Sequence, residues 1–402
     1  MKSTSLKTFA VLIVLGGFCM SCAGPRINWQ SPYREISSFE KGDIIHLPTG
    51  IKLTKEQMIS MIDNSRIIYV GESHDNVCAH KVQLEILKAL SELNPGKITV
   101  GMEMLKRPSQ DIADQWTSGK LEEKEFVRTW VDDWSNDFEY YLDILRYIRE
   151  HNIPLLALRA SDEWTEKVKG SQAANEENEQ DLPEMDVEDP YHRSHIKAIF
   201  DKHPGAGQDF EGFYKVQVLW DESMASSIYE YLTSKVGLDK QLLIFAGSQH
   251  IEHGFGVPRR VFRRLPLSYS IVLPTAVEPP PVGKHKLMHV SQPEVPLQSG
   301  DFAWAVGYED LTDEKVYLGV MVHDAEDGVK ILGIGKDSAA QEAGLKKGDI
   351  IKALDSEPIE TPFDLTYFIS LKNPGDKGTI EILRDEEPLS FEVTFKAGGF
   401  HM

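Results

Sequence analysis

Apolar residues along this chain fall into two alternating rhythms. Short continuous runs at Arg66–Val70, Lys97–Met104, Pro154–Leu158, Leu242–Ala246 and Ser268–Leu273 predict buried strands. Between them apolar positions recur every three or four residues. Ala79, Val82, Ile86, Leu87 and Leu90 do so between Asp75 and Leu90, and Tyr141, Leu142, Leu145 and Ile148 between Glu139 and Glu150. Phe213, Val216, Trp220, Met224, Ile228 and Tyr231 form the longest stripe, between Phe213 and Leu232. Each stripe predicts a helix with one buried face. A short amphipathic helix at Lys55–Ile62 and a last short strand at Asp301–Ala305 complete the pattern. Strands without an exposed polar face, alternating with helices, predict an α/β fold: a mostly parallel sheet flanked by helices.

Two stretches break the rhythm. Residues 166–190 are polar and acidic (Glu176, Glu177, Glu179, Asp181, Glu184, Asp186, Glu188, Asp189), too poor in apolar surface to order themselves, and predict a mobile insertion. A helical segment from Tyr191 to His203 follows at once and brings three histidines. The Pro279-Pro280-Pro281 tract predicts a long loop. The first domain is bounded at 49–308 and a second, smaller α+β domain at 315–398.

The beginning of the chain reads as an address. Lys2 and Lys7 precede an apolar stretch, Thr8–Phe18, that is too short to span a bilayer, and Cys22 follows the small Ser21. This resembles a bacterial lipoprotein signal over 1–21 with lipidation on Cys22, followed by a tether over 22–48. The anchor implies a cell-envelope protein held at a membrane, the outer membrane being the expected one. Cys78 is then the one thiol outside this segment, so no disulfide framework supports the fold. The net charge of -20 over 402 residues argues against nucleic acid as a partner, since phosphate binding needs clustered Lys and Arg.

Candidate chemistry lies at the strand ends. Gly71-Glu72-Ser73-His74 and Gly247-Ser248-Gln249-His250 each end an apolar run with a glycine and deliver a histidine just beyond it. In an open parallel sheet those ends border the ligand crevice, so residues far apart in sequence can face one pocket. Lys97–Met104 adds Glu103 and Pro154–Leu158 leads to Arg159. His74, Glu103 and His250 together suit a divalent metal such as zinc or manganese. Glu72 or Glu103 could instead serve as a general base.

The set Gly71–His74, Gly101–Met104, Gln217–Ala225 and Gly247–His250, continuing through Gly254–Arg259, resembles the ChaN-like haem-binding lipoproteins, which are similar to the Tiki/TraB peptidases and erythromycin esterases. The resemblance implies haem as cofactor and a role in haem or iron uptake, and leaves open a homodimer with haem between its copies. The wider superfamily implies a metal-dependent hydrolase or peptidase instead, with His74, Glu103 and His250 as ligands and Glu72 and Glu103 as the catalytic carboxylates. Haem needs an axial His or tyrosinate, an apolar slot and cations for its propionates. Tyr191, His192, His195, Tyr214 and Arg259 are the candidates for these roles.

The segment Ser338–Ile351, preceded by Tyr317-Leu318-Gly319-Val320, resembles a circularly permuted bacterial PDZ domain. That resemblance implies a groove that takes a peptide carboxy-terminus as an added strand, with its carboxylate at the backbone of Leu318, Gly319 and Val320. A third reading is an envelope adaptor in which this groove alone matters.

Overall fold

The computed structural model describes residues 39–134, 138–170, 182–202, 209–277, 297–311 and 315–397. The signal segment, Cys22 and the greater part of the 22–48 tether lie outside the described residues.

The first domain is built on one eight-stranded sheet in the order β2-β1-β8-β7-β3-β6-β4-β5. Its strands are β1 (Ile44–His46), β2 (Ile51–Leu53), β3 (Ile67–Glu72), β4 (Ile98–Lys106), β5 (Leu155–Arg159), β6 (Gln241–Gly247), β7 (Tyr269–Ala276) and β8 (Phe302–Val306). The strands from β5 to β8 run parallel, and β1 and β2 add an antiparallel edge. The end of the tether is therefore not a tether: Ile44 and Ile45 are buried in β1, where the open edge of β8 supplies the ladder.

Successive residues of β3 feed opposite faces, as the pleat requires. Ile68 and Val70 join Met102 and Phe245 in one core, and Ile67 and Tyr69 join Ile244 and Ile271 in the other. The first core is covered by α1 (Lys55–Ile62), α2 (Val77–Leu93), α3 (Gln110–Thr117), α4 (Glu123–Trp134) and α5 (Leu142–Glu150). The pattern analysis assigns nothing to α3 and α4, which bury Trp116, Phe126 and Trp130. Helices α6 (Asp162–Gly170), α7 (Pro190–Lys202), α8 (Phe210–Thr233) and α9 (Val257–Arg264) follow, and α8 and α9 cover the second core.

The expected mobile insertion over 166–190 is replaced, in its described residues, by packed chain. Helix α6 runs to Gly170, Leu182 and Met185 pack near Val216 and Leu219, and Asp186 and Asp189 pair with Arg263 and Arg259 of α9. The acids are held because a helix rich in arginine faces them. Residues 171–181 lie outside the described set.

The second domain has an antiparallel sheet in the order β10-β11-β12-β14-β15, with β13 (Glu357–Pro358) on β12. These strands are β10 (Val320–Ala325), β11 (Gly328–Ile334), β12 (Ile350–Leu354), β14 (Lys377–Arg384) and β15 (Glu387–Thr394). A separate pair joins β9 (Val316–Tyr317) to β16 (Lys396–Ala397), and α10 (Ala339–Ala343) and α11 (Pro362–Ser370) complete the domain. Tyr367 of α11 is part of the first domain's core, so the two domains share packed apolar surface.

Candidate functional site

Strands β3, β4 and β6 are neighbours in the sheet, so their carboxyl ends bring Glu72, Glu103 and Gly247 side by side. Glu103 accepts the Gly247 amide at 2.7 Å through Oε2, and its Oε1 lies 3.4 Å from His250 Nε2. A Cβ on Gly247 would stand 2.9 Å from His74 Nε2 and 3.5 Å from Glu103 Oε2. Only glycine leaves room for the imidazole there. His74 and His250 thus meet across Glu103, as the strand ends predict.

Each histidine is oriented from behind by an acid. His74 Nδ1 faces Glu72 Oε1 at 2.7 Å, and Glu72 also accepts from Tyr141 Oη at 2.5 Å and Gln83 Nε2 at 2.6 Å. His250 Nδ1 faces Asp221 Oδ1 at 2.6 Å. The other oxygen of Asp221 stands 2.8 Å from His192 Nε2. Arg260 lies 3.2 Å from His192 Nδ1 and, having no acceptor, can only donate there. That places the His192 proton on Nε2, the nitrogen beside Asp221.

Burial works against every charge in this network, and the partners overcome it. Glu103 is held well below the usual carboxylate range by His250 and His74, and Asp221 by His250 and His192. His250 is raised by Glu103 and Asp221 in turn, and His74 by Glu72 and Glu103. Lying between two carboxylates, His250 is favoured in its charged form.

The metal reading finds no support in this arrangement. Glu103 is committed to Gly247 and His250. Among the described residues, no three His, Cys, Asp or Glu side chains form a group that could hold a metal ion. His74 alone of the three opens outward: its side chain is 18% exposed, its ring meets Trp134 edge-on at 4.8 Å, and Arg159 lies 4.8 Å over the same indole.

The haem candidates separate into two groups. His192 is fully buried, with Arg260 at its Nδ1 and Asp221 2.8 Å from its Nε2, so it sits in the inner network and not on an open haem slot. Tyr214 is fully buried against Phe210 and His192, and burial pushes its phenol up to about 12, so an iron-binding phenolate is disfavoured there. The other three stand together on a separate rim. Tyr191 is 57% exposed, its ring 5.7 Å from Phe255 and beneath the Arg259 guanidinium at 5.5 Å. His195 lies behind them, with ring centroids 5.3 Å from His253 and 6.2 Å from Phe255. It is buried, yet among the described residues neither ring nitrogen has a hydrogen-bond partner. Burial, then His253 and His192, push it down to about 4, so it is neutral at pH 7.

Sequence reasoning missed the residues that organise this site. Asp221 and Glu222 carried a signal, two acids beside the apolar stripe of α8. Glu222 anchors Arg260 at 3.0 Å and Arg264 at 2.7 Å. Tyr141, Gln83 and Trp134 gave none, being ordinary members of helical segments.

An α/β domain whose parallel strands aim acid–histidine pairs at one rim, joined to a small domain with an open sheet edge, defines the class. A family described as haem-binding uptake, Tiki superfamily, ChaN, matches residues 58–261, and the chain belongs to it. A PDZ domain matches residues 316–395. The structure of ChaN of Campylobacter jejuni, titled for cofacial heme binding, superposes with a TM-score of 0.51 at 17% identity, covering 65% of this chain and 95% of that one. At that identity the likeness speaks for the fold. The periplasmic pH-dependent serine endoprotease DegQ of Escherichia coli is 34% identical over 71 residues, 18% of this chain and 16% of that protein. The chain spans less than a quarter of the length of the curated relatives it matches.

Proposed function

We propose that this chain is a lipid-anchored haem-binding protein of the cell envelope that serves haem or iron uptake, with a PDZ groove that recruits the carboxy-terminus of a partner. The observation that carries the haem reading is His195: a buried, neutral imidazole with two unpartnered nitrogens. Such a group is costly unless a ligand satisfies it. Its surroundings suit haem. Tyr191, Phe255 and His253 give an aromatic bed, and Arg259 a cation for a propionate, although Asp189 holds that guanidinium at 2.9 Å. Haem when bound supplies an iron that takes a neutral imidazole or a phenolate, and a macrocycle that needs apolar surface. His195, Tyr191 and His253 are the residues that would hold it.

The inner network plays a different part in this reading. Glu72, Glu103, His74, His250 and Asp221 fix the strand ends and keep a band of compensated charge beneath the rim. The alternative of a metal-dependent hydrolase finds no group of ligands among the described residues. Membrane attachment in this reading rests on Cys22 and the signal-like segment before it.

Titration of the purified full chain with haemin, followed at the Soret band, tests the reading. A saturable shift at micromolar haemin is expected, with His195→Ala and Tyr191→Ala each weakening binding about tenfold. No saturable shift, or binding unchanged in both variants, overturns it.

A further inference from the structure

The helical wall of the peptide groove is held from behind by the first domain. Strand β10 is the edge of its sheet, and a cavity of about 510 Å³ lies between it and α11. Leu318, Gly319 and Val320 line one side of this cavity, and Leu365 and Ile369 of α11 line the other. Leu365 and Ile369 stand one turn apart on the same face of the helix, and Asp364 and Tyr367 lie on the other face.

That second face belongs to the first domain. The buried residues of α11 are Asp364, Leu365 and Tyr367. Leu365 packs into the second domain's own core, whereas Tyr367 is part of the first domain's core, with Phe363 and Phe368 packed against it. The buried ring of Phe138, from the first domain, stacks on Tyr367 at 6.3 Å. Asp364 receives Lys124 and Arg128 of α4. A helix of nine residues has little stability of its own, so its position follows from what packs against its two faces.

We propose that the first domain sets the width of the peptide pocket, with Phe138 and Tyr367 as the positioning residues that decide how large a terminal side chain it admits. This rests on the peptide reading above. Cores are close-packed, so volume removed behind a short helix is recovered in part by the helix moving into it. A smaller side chain at 138 or 367 lets α11 settle toward the first domain and away from β10. Leu365 and Ile369 retreat with it, and the apolar pocket for the last side chain of the peptide widens. Among the described residues neither Phe138 nor Tyr367 lines the cavity, so their effect on the peptide passes through α11.

The test uses the full chain and two pentapeptides as free acids, one Val-terminated and one Phe-terminated, with dissociation constants read by calorimetry. Phe138→Leu and Tyr367→Leu are each expected to shift the ratio of the two constants about threefold or more toward the Phe-terminated peptide, less than one methylene is worth in a fitted pocket. Leu90→Ala empties volume in the same core near the end of α2. It is expected to leave the ratio within about twofold, as a distant, independent site should. Both peptides meet the same folded fraction, so the ratio still reports on a variant of lowered stability. An unchanged ratio in both variants, or an equal shift in Leu90→Ala, overturns the inference and leaves peptide binding standing. Failure of the wild type to bind the Val-terminated free acid overturns the peptide reading and the inference with it.

Discussion

His195 and Asp221 lie near one another and solve opposite problems. Asp221 has two imidazoles on its two oxygens and keeps its charge although fully buried. Among the described residues His195 has no hydrogen-bond partner, and burial keeps it neutral. The consequence for stability has a definite sign. A base whose folded pKa lies below its ordinary value of 6.5 favours folding above pH 6.5, and this contribution is lost progressively as pH falls from 6.5 to about 4. Between pH 7 and pH 5 the ligand-free chain should lose about 2 kcal/mol at this one residue, 1.36 kcal/mol for each unit below 6.5. Urea denaturation of wild type and His195→Gln at both pH values measures it. Equal losses in the two proteins would show that His195 is paired or hydrated in solution.

At the scale of elements, the contact between α4 and α11 joins the domains. The Asp364 side chain is buried, caps α11 through Thr361, and receives Lys124 at 2.7 Å and Arg128 at 3.1 Å. Arg128 also lies 4.3 Å over the ring of Phe363, and Lys124 lies 4.8 Å over that of Phe368. The cations are partly exposed, so their share is small, whereas the acid carries both the cap and the junction. Asp364→Ala should therefore cost about 1–3 kcal/mol, and the Lys124→Ala, Arg128→Ala pair less than about 1 kcal/mol. Denaturant midpoints distinguish the two, and a larger cost for the cation pair would reverse the assignment.

For the whole molecule, the shared apolar surface decides how it unfolds. Tyr367 belongs to the core of the first domain, and Phe368 packs against the cores of both domains. Cooperative units follow contiguous packing. The full chain should therefore show one calorimetric transition, with the PDZ domain melting together with the α/β domain. Two well-separated transitions would mean that the junction holds too little energy to join them.

Much of this was legible along the chain. Continuous apolar runs fixed β3 to β7, because a strand covered on both faces has no place for polar residues. Stripes of 3.6-residue period fixed α2, α5 and α8. The strand-end motifs brought His74, Glu103 and His250 to one rim, because parallel neighbours end on the same side of a sheet. What those residues do there was decided by tertiary structure. Asp221 and Arg260 reach the rim from α8 and α9, and Asp221 gathers His250, His192 and Arg260 into one buried network of ion pairs. The arginines of α9 likewise turned the end of an acidic insertion into packed chain. Strand order and burial follow local pattern, whereas protonation and pairing depend on which distant groups share a low-dielectric space, and no spacing along the chain encodes that.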